Sequence, residues 1–588
     1  MAWCVMPLEH FLLLLLLALP TIAAVVVALL GPNRGALIRW FSLAASLATL
    51  AIALFFAIRV VQTERQYDEQ GIRTAANAPT FQPLFVPGSP GIRAGTDQPD
   101  PFGTSWNLVE LGPGAIQFYI GLDGLNIWLV VLTAVLMLPS VLVSWTHISE
   151  RVHEFYAWLL ALQTTMMGIF LAFDIILFYV FFELSLVPLF FLIGIWGGPQ
   201  RRYAARKFFI YTFLGSMITL LGIIGLVLQC YYHSGQAGEP GILTFSIPRL
   251  VELVHTRLIT SPAAKEIQFW VFMALMVGFA VKVPLVPFHT WLPLAHVEAP
   301  TAGSVDLAGV LLKVGAYGFL RLCIPLAPDV SLALGLPLVT TLAAIGIVYG
   351  ALCAYSQDDV KKLIAYSSVS HLGMCMLGLF TLNVVGISGG IMYMINHGLS
   401  TAALFLLIGM IYERYHTRNL SDYSGMAAKM PVFASFLVFI SMASAGLPGL
   451  NGFVGELLVL AGIFQHRFAT NGSFLLPIVA ASGILLGAWY LLTMLRRLLF
   501  GPIKEPDLEV GGHGLTGDMN FREISLIAPI AALCLLLGVY PQPVLRTMEP
   551  DVLTVANIAE RARDRAGVQR EEQPVSQLDT TFLGKQKE

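Results

Sequence analysis

The chain has 588 residues, 56% of them hydrophobic and only 12% charged, with a mean hydropathy of +0.75. Soluble domains carry about twice that charged fraction, so the composition excludes a soluble globular protein and indicates a polytopic membrane protein in a lipid bilayer. The net charge of −2 says nothing about partners, and no nucleic-acid partner is read from it.

A helix needs about 20 mostly apolar residues to cross the hydrocarbon layer. The chain offers fourteen such spans, near 8–30, 36–61, 120–145, 155–173, 174–196, 205–230, 267–288, 303–324, 332–355, 360–381, 385–412, 431–464, 474–500 and 522–545. The first is too long for a signal peptide and lacks a basic start, so it reads as a membrane helix. The fourth and fifth meet at Phe173–Asp174 and predict a tight hairpin. The twelfth is too long for one straight crossing. Residues 62–119 read as a long external loop, 232–266 as a second loop with one short surface helix, and 546–588 as surface helix or disorder. The division in sequence is 1–119, 120–154, 155–324, 325–500 and 501–588.

Lys and Arg set the orientation. Sixteen basic residues, among them Arg34, Arg201, Lys361, Arg418 and Arg497, fall in one set of alternate loops, against Arg467 in the short loops of the other. The basic side is expected to be cytoplasmic, with both termini outside.

Two spans read as broken. Span seven runs into Pro284 and Pro287, each of which removes a backbone donor. Span twelve contains Gly446, Pro448, Gly449 and Gly452. Interrupted helices in two halves of a chain point to a transporter with inverted repeats. Here the repeats would be spans 4–8 and 9–13, five helices each, 155–324 and 325–500. Lys282 lies just before the first break and Glu456 just after the second.

Ionisable residues inside spans cost about 2.5 to 3.5 kcal/mol each and are functional by default. Glu183 and Lys313 lie ~14–15 Å deep at 1.5 Å per residue. With Lys282 and Glu456 they alternate in sign along the chain, which suggests a polar path for protons or small cations. Lys282 is the natural partner of Glu183. His371 and His397, near the middle of spans ten and eleven, read as a proton relay, as axial ligands of one haem, or as hydrogen-bonded core residues. Asp306 suits a helix N-terminus or a proton entry route. His289, His296 and Glu298, in the connection between spans seven and eight, collect protons or face water. Asp358 and Asp359 suit the start of span ten, and Lys361 and Lys362 are attributed to orientation. Cys4, Cys230, Cys323, Cys353, Cys375 and Cys534 have no spacing that ligates an iron–sulfur cluster, and no metal site or redox centre is read.

AVKVPLVPFHTWLPLAHVEAPTAGSV (280–305), LAGVLLKVGAYGFLR (307–321), SQDDVKKLIAYSSVSHLG (356–373), GLPGLNGFVGE (446–456) and GLDGLN (121–126) resemble the antiporter-like subunits of respiratory complex I. The resemblance covers roughly 120–545 and is nearest to the branch of subunit M and mitochondrial chain 4. It implies an all-α fold of fourteen helices with two inverted five-helix repeats. It also implies a proton channel in the membrane arm of an NADH:quinone oxidoreductase, in a bacterial-type cell (inner) membrane. Glu183 and Lys282 would then be the coupled pair, Lys313, His371 and His397 axis residues, and Glu456 the terminal acid. NADH, FMN, iron–sulfur clusters and quinone would belong to partner subunits, with none in this chain. Sister antiporter-like subunits would be neighbours, and protons and internal waters the cargo. Subunits of multisubunit cation/proton antiporters and of membrane-bound hydrogenases share this pattern and are the alternatives. Asp306, where an apolar residue is expected, and the enlarged loop 62–119 and tail depart from it.

Overall fold

The computed structural model describes residues 7–70, 80–92, 99–112, 114–235, 241–470, 474–506 and 517–567. The rest of the 62–119 loop, Cys4 and the end of the tail lie outside these residues. In chain order the main helices are α1 (Leu8–Leu30), α2 (Gly35–Gln70), α3 (Ile127–His147), α4 (Val152–Leu171), α5 (Ile175–Trp196), α6 (Arg201–Ser234), α7 (Ile247–Leu253), α8 (Ala264–Lys282) and α9 (Leu292–Glu298). They continue as α10 (Thr301–Leu326), α11 (Pro328–Tyr355), α12 (Val360–Leu379), α13 (Val384–Tyr415), α14 (Pro431–Ser444), α15 (Asn451–Thr470), α16 (Leu475–Leu499), α17 (Phe521–Val539) and α18 (Gln542–Arg565).

The protein is thus an all-α polytopic membrane protein, with helix at each predicted span. Among the described residues, twelve helices are long and apolar enough to cross a membrane. α12 is not among them because it carries Lys361, Lys362, three serines and His371. Span twelve is divided between α14 and α15. α10 and α13 are buried all round, so they form the centre of the bundle. A helix apolar on every face belongs there.

Side-chain caps fix the starts of several helices. Asp174 accepts from Ile176 N and Leu177 N, at 2.9 and 3.0 Å, and closes the predicted hairpin onto α5. Asp359 does the same for α12 through Lys361 N and Lys362 N. These satisfy amides that a helix start leaves open.

Two expectations for the polar regions need correction, and for the tail the helical alternative holds through Arg565. The 62–119 region is not plain loop: α2 extends to Gln70, and two hairpins follow, β1 (Pro90–Ile92) with β2 (Pro99–Thr104), and β3 (Asn107–Leu111) with β4 (Gly114–Gln117). The helix in 232–266 is not on the surface. α7 buries Leu250 and Val251, and the π turn after it buries Val254 and Leu258. The tail through Arg565 is one amphipathic helix laid against the bundle. Its apolar residues are few but share one face, and Val544, Met548, Val552, Val555 and Ile558 are all buried.

Candidate functional site

Irregular backbone marks each intramembrane charge. Pro188 leaves α5 with a turn at Ser185, two residues after Glu183. α8 stops at Lys282 and the chain turns through Pro284 and Pro287 before α9. Trp291 Nε1 donates to Val281 O at 2.9 Å and satisfies one carbonyl that this break frees. Lys313 follows a π turn, Leu307–Leu311, and its Nζ donates to Ala308 O inside that turn. π turns recur at functional sites because they offset the hydrogen-bond ladder.

The second break is built on glycine. Gly446 and Gly449 have φ of +74° and +89°, a region that favours glycine. Gly446 also makes room for Glu456, since a Cβ there would lie 1.9 Å from Oε2 of that carboxylate. A Cβ on Gly452 would lie 2.1 Å from Ala443 O. Pro448 sits exposed at the tip of the turn. Asn396 of α13 closes the break, donating from Nδ2 to Asn451 O at 2.6 Å while Asn451 Nδ2 donates to Asn396 O at 3.3 Å.

Lys313 and the residues of the second half form one line. Lys313 Nζ donates to His397 Nδ1 at 2.8 Å. An ammonium has only donors, so Nδ1 accepts and the proton of a neutral His397 sits on Nε2. The His397 and His371 rings lie with centroids 5.6 Å apart. His371 Nδ1 is 2.7 Å from Tyr393 Oη and its Nε2 is 3.0 Å from Tyr490 Oη. Tyr393 Oη donates to Glu456 Oε1 in a long bond of 3.4 Å. The consistent assignment has Tyr490 donating to His371, His371 to Tyr393 and Tyr393 to Glu456, so the hydrogen bonds from Tyr490 onward point one way. A narrow internal cavity lined by Ser370, His371, Tyr393, Ser444 and Glu456 runs along this line. Both nitrogens of His371 are engaged by tyrosines, so neither faces an axial-ligand position of a haem. Among the described residues, no three His, Cys, Asp or Glu side chains gather where they could hold a metal.

The first half is different, and the expected direct pairing of Glu183 with Lys282 is not formed. Glu183 is half-buried and accepts from Tyr179 Oη at 3.0 Å and from Ser216 Oγ. Lys282 is buried, with Nζ 4.7 Å from the centre of the Phe182 ring. It feels the Glu183 charge without touching it. The aromatic face offers the ammonium a partial partner.

The three titratable residues between α8 and α10 do not lie on the exposed surface. His289, His296 and Glu298 are all buried. Glu298 Oε2 accepts from Gln200 N at 2.8 Å. Lys361, assigned above to orientation, instead points inward and donates to Ala299 O at 2.6 Å. Glu298, Lys361, His147 and His416 line a cavity at the arginine-rich end of the bundle. Behind it His296 stacks on Phe405 at 4.6 Å, with neither ring nitrogen hydrogen-bonded, and it interacts electrostatically with Lys361 and Lys313. Asp306 does not cap α10. Its Oδ1 accepts from Ser140 Oγ of α3 at 3.0 Å, because it lies a full turn beyond the helix start.

Sequence reasoning missed Tyr393, Tyr490, Tyr179 and Ser216. Tyr393 was findable: it precedes His397 by four residues on one helix, and such pairs share a face. Tyr179 was findable in the same way, four residues before Glu183 on α5, whereas Tyr490 and Ser216 come from other helices and have no local signal.

A family model described as NADH:quinone oxidoreductase/Mrp antiporter, TM, matches residues 172–494. NADH-quinone oxidoreductase subunit M of Rhodobacter capsulatus is 38% identical over 542 residues, covering 91% of this chain and 94% of its own. NADH-ubiquinone oxidoreductase chain 4 of Prototheca wickerhamii is 43% identical over 435 residues, covering 74% and 77%. Among solved structures, a chain of respiratory complex I from Thermus thermophilus with bound NADH superposes with a TM-score of 0.73 at 28% identity, covering 93% of this chain and 99% of that one. A chain of the Mrp complex from Dietzia sp. DQ12-45-1b, at 21% identity, shares the fold with the same TM-score, covering 96% and 100%.

Proposed function

This chain belongs to the antiporter-like transmembrane family of NADH:quinone oxidoreductase, in the branch of subunit M and chain 4, and from that premise we propose how protons cross the membrane through it. It is a membrane-arm subunit of a complex I-type enzyme. The redox centres, NADH site and quinone site lie in partner subunits, sister antiporter-like subunits flank it, and this chain supplies the translocation step. In this reading the chain is built from two inverted five-helix repeats, 155–324 and 325–500, with the buried helices α10 and α13 as one central helix from each. The arginine-rich end faces the cytoplasm of a bacterial-type cell, and both termini lie outside.

Protons enter by the cavity of Glu298, Lys361 and His147 and reach His296. From there they pass to Lys313 and His397. His397 Nε2–H rotates, or uses one bridging water, to cross to His371. His371, Tyr393 and Glu456 then relay the proton, each group releasing one as it accepts another. The breaks before α9 and α15 are where unwound backbone and glycine leave space for such exchange. Lys282 and Glu183 bias the line from its side. A change in their separation alters the field at Lys313, so redox energy released elsewhere acts through charge rather than through large movement.

The observation that carries this reading is the 2.8 Å contact between Lys313 and His397, continued through His371 and Tyr393 to Glu456. The test is proton uptake by membrane vesicles holding the assembled enzyme with Lys313→Ala. Loss of NADH-driven pumping with assembly intact supports it, and normal pumping would sink it. Subunits that co-purify with the chain separate this reading from a cation/proton antiporter.

A further inference from the structure

A second cluster of buried charge lies at the outer end of the helix that carries Lys313. Arg321, eight residues beyond Lys313 on α10, is fully buried. At 1.5 Å per residue that is about 12 Å along the helix. Its Nη2 lies 2.5 Å from Asp123 Oδ2, and its Nε donates to Tyr317 Oη at 3.0 Å. Phe81, Phe173 and Tyr317 surround the guanidinium at 4.3, 4.9 and 5.2 Å. Asp123 is fixed in turn, since its Oδ1 accepts from Leu125 N and Asn126 N in the GLDGLN turn.

The third charge comes from the tail. Asp551 of α18 is buried and accepts through Oδ2 from Gly124 N at 2.8 Å. It also acts electrostatically on Arg321. The GLDGLN turn is shaped to receive it. A Cβ on Gly124 would lie 2.1 Å from Thr547 O and 3.0 Å from Asp551 Oδ2, so glycine lets the tail helix approach this closely. Apolar residues of similar volume would hold α18 in place as well as buried charges do, or better. Stability therefore does not account for three charges here, whereas a directional anchor does.

We propose that Asp551 is a positioning residue for Lys313: with Asp123 it holds Arg321, and through Arg321 it fixes the rotational setting of α10 that aims Lys313 at His397. Arg321 sits in a π turn, Phe319–Cys323, and Lys313 lies between that turn and the earlier one at Leu307–Leu311. Each π turn is a place where a helix can gain or lose rotation, so the segment between them keeps its setting only if an end is held. Arg321 is that held end. The tail helix, remote from the proton line in sequence, is then part of its machinery.

The pumping part of this inference rests on the function proposed above; the anchoring part does not. The test uses the assembled enzyme with Asp551→Asn, which keeps the size and an acceptor for Gly124 but removes the charge. Two quantities are measured: amide hydrogen exchange of the 319–326 segment, and protons moved per electron in proteoliposomes. The expected result is exchange faster by about tenfold or more in that segment, a lower proton yield, and recovery of both in Asp551→Glu. Unchanged exchange overturns the anchor. Faster exchange with a normal yield overturns the positioning role. If Asp551→Asn does not assemble, Asp551→Ser takes the same two measurements. Lys313→Ala run alongside separates the two claims: normal pumping there defeats the functional reading, and the exchange result still decides the anchor.

Discussion

Glu183 and Glu456 are both carboxylates beside an interrupted helix, yet their surroundings are opposite. Glu456 is 4% exposed and joined through Tyr393 to an unbroken set of side chains from α12, α13 and α16. Glu183 is half-buried, held by Tyr179 and Ser216, with Val180 and Leu184 on its own helix 43% and 46% exposed. It looks outward from the bundle, and its expected partner Lys282 stands behind the Phe182 ring. The second half thus holds a line of buried polar side chains, hydrogen-bonded from His371 to Glu456 and separated from His397 by one ring-to-ring gap. The first half contains two opposite charges that do not pair, with Glu183 beside an exposed apolar stretch of α5. Under the proposed function, one half conducts and the other receives a signal.

The largest effect expected from that division is at its junction. Lys313→Ala should lower coupled NADH oxidation and pumping by roughly 100-fold, the scale of losing a positioned proton-transfer group. Adding Glu456→Gln to it should then cost little more, because residues acting as one unit are not additive. The comparison is made at equal assembly, on a background where the single variants keep measurable activity. Multiplicative losses would mean two independent sites and would erase the single-route half of the contrast.

Glu183→Ala should also reduce pumping strongly, with assembly retained, while Glu183→Asp is milder because the charge remains. Vesicles that pump normally with the alanine variant would make Glu183 structural. A smaller effect belongs to Lys282→Arg, which keeps a charge of the same sign that is not released in this range. If Lys282 must give up its proton, the proton yield falls several-fold. An unchanged yield would leave Lys282 a purely electrostatic role, which sharpens rather than breaks the idea of a receiving half. The smallest effect is at Tyr490→Phe, which removes one hydrogen bond to His371. A loss of about 1 kcal/mol, roughly fivefold in rate, is expected, read as turnover against proton yield. A variant that loses all activity would place Tyr490 on the route itself.

Much of this was legible in the sequence, and the reasons differ by region. Charges in spans are expensive, so Glu183, Lys282, Lys313 and Glu456 stood out without any knowledge of contacts. Pro284, Pro287 and Gly446 announced the breaks, because their backbone chemistry is local. What was not legible was pairing across helices. Nothing near Glu183 in sequence shows that Ser216 rather than Lys282 is its partner, and nothing near Arg321 points to Asp551, 230 positions away. Lys361 was misread because a basic residue at a span end obeys the orientation rule whether it points out or in. The tail stayed open between surface helix and disorder because its composition is polar, while the buried apolar residues that decide for helix fall on one helical face.

The claim that one continuous line of side chains carries protons from Lys313 to Glu456 is tested most directly at Tyr393. Its hydroxyl is the sole direct link that the described residues provide between His371 and Glu456. Tyr393→Phe keeps the ring, its packing and both titratable neighbours, and removes only that hydroxyl. The account predicts fewer protons moved per electron in proteoliposomes holding the assembled variant enzyme. A proton yield equal to that of the unaltered enzyme would contradict it.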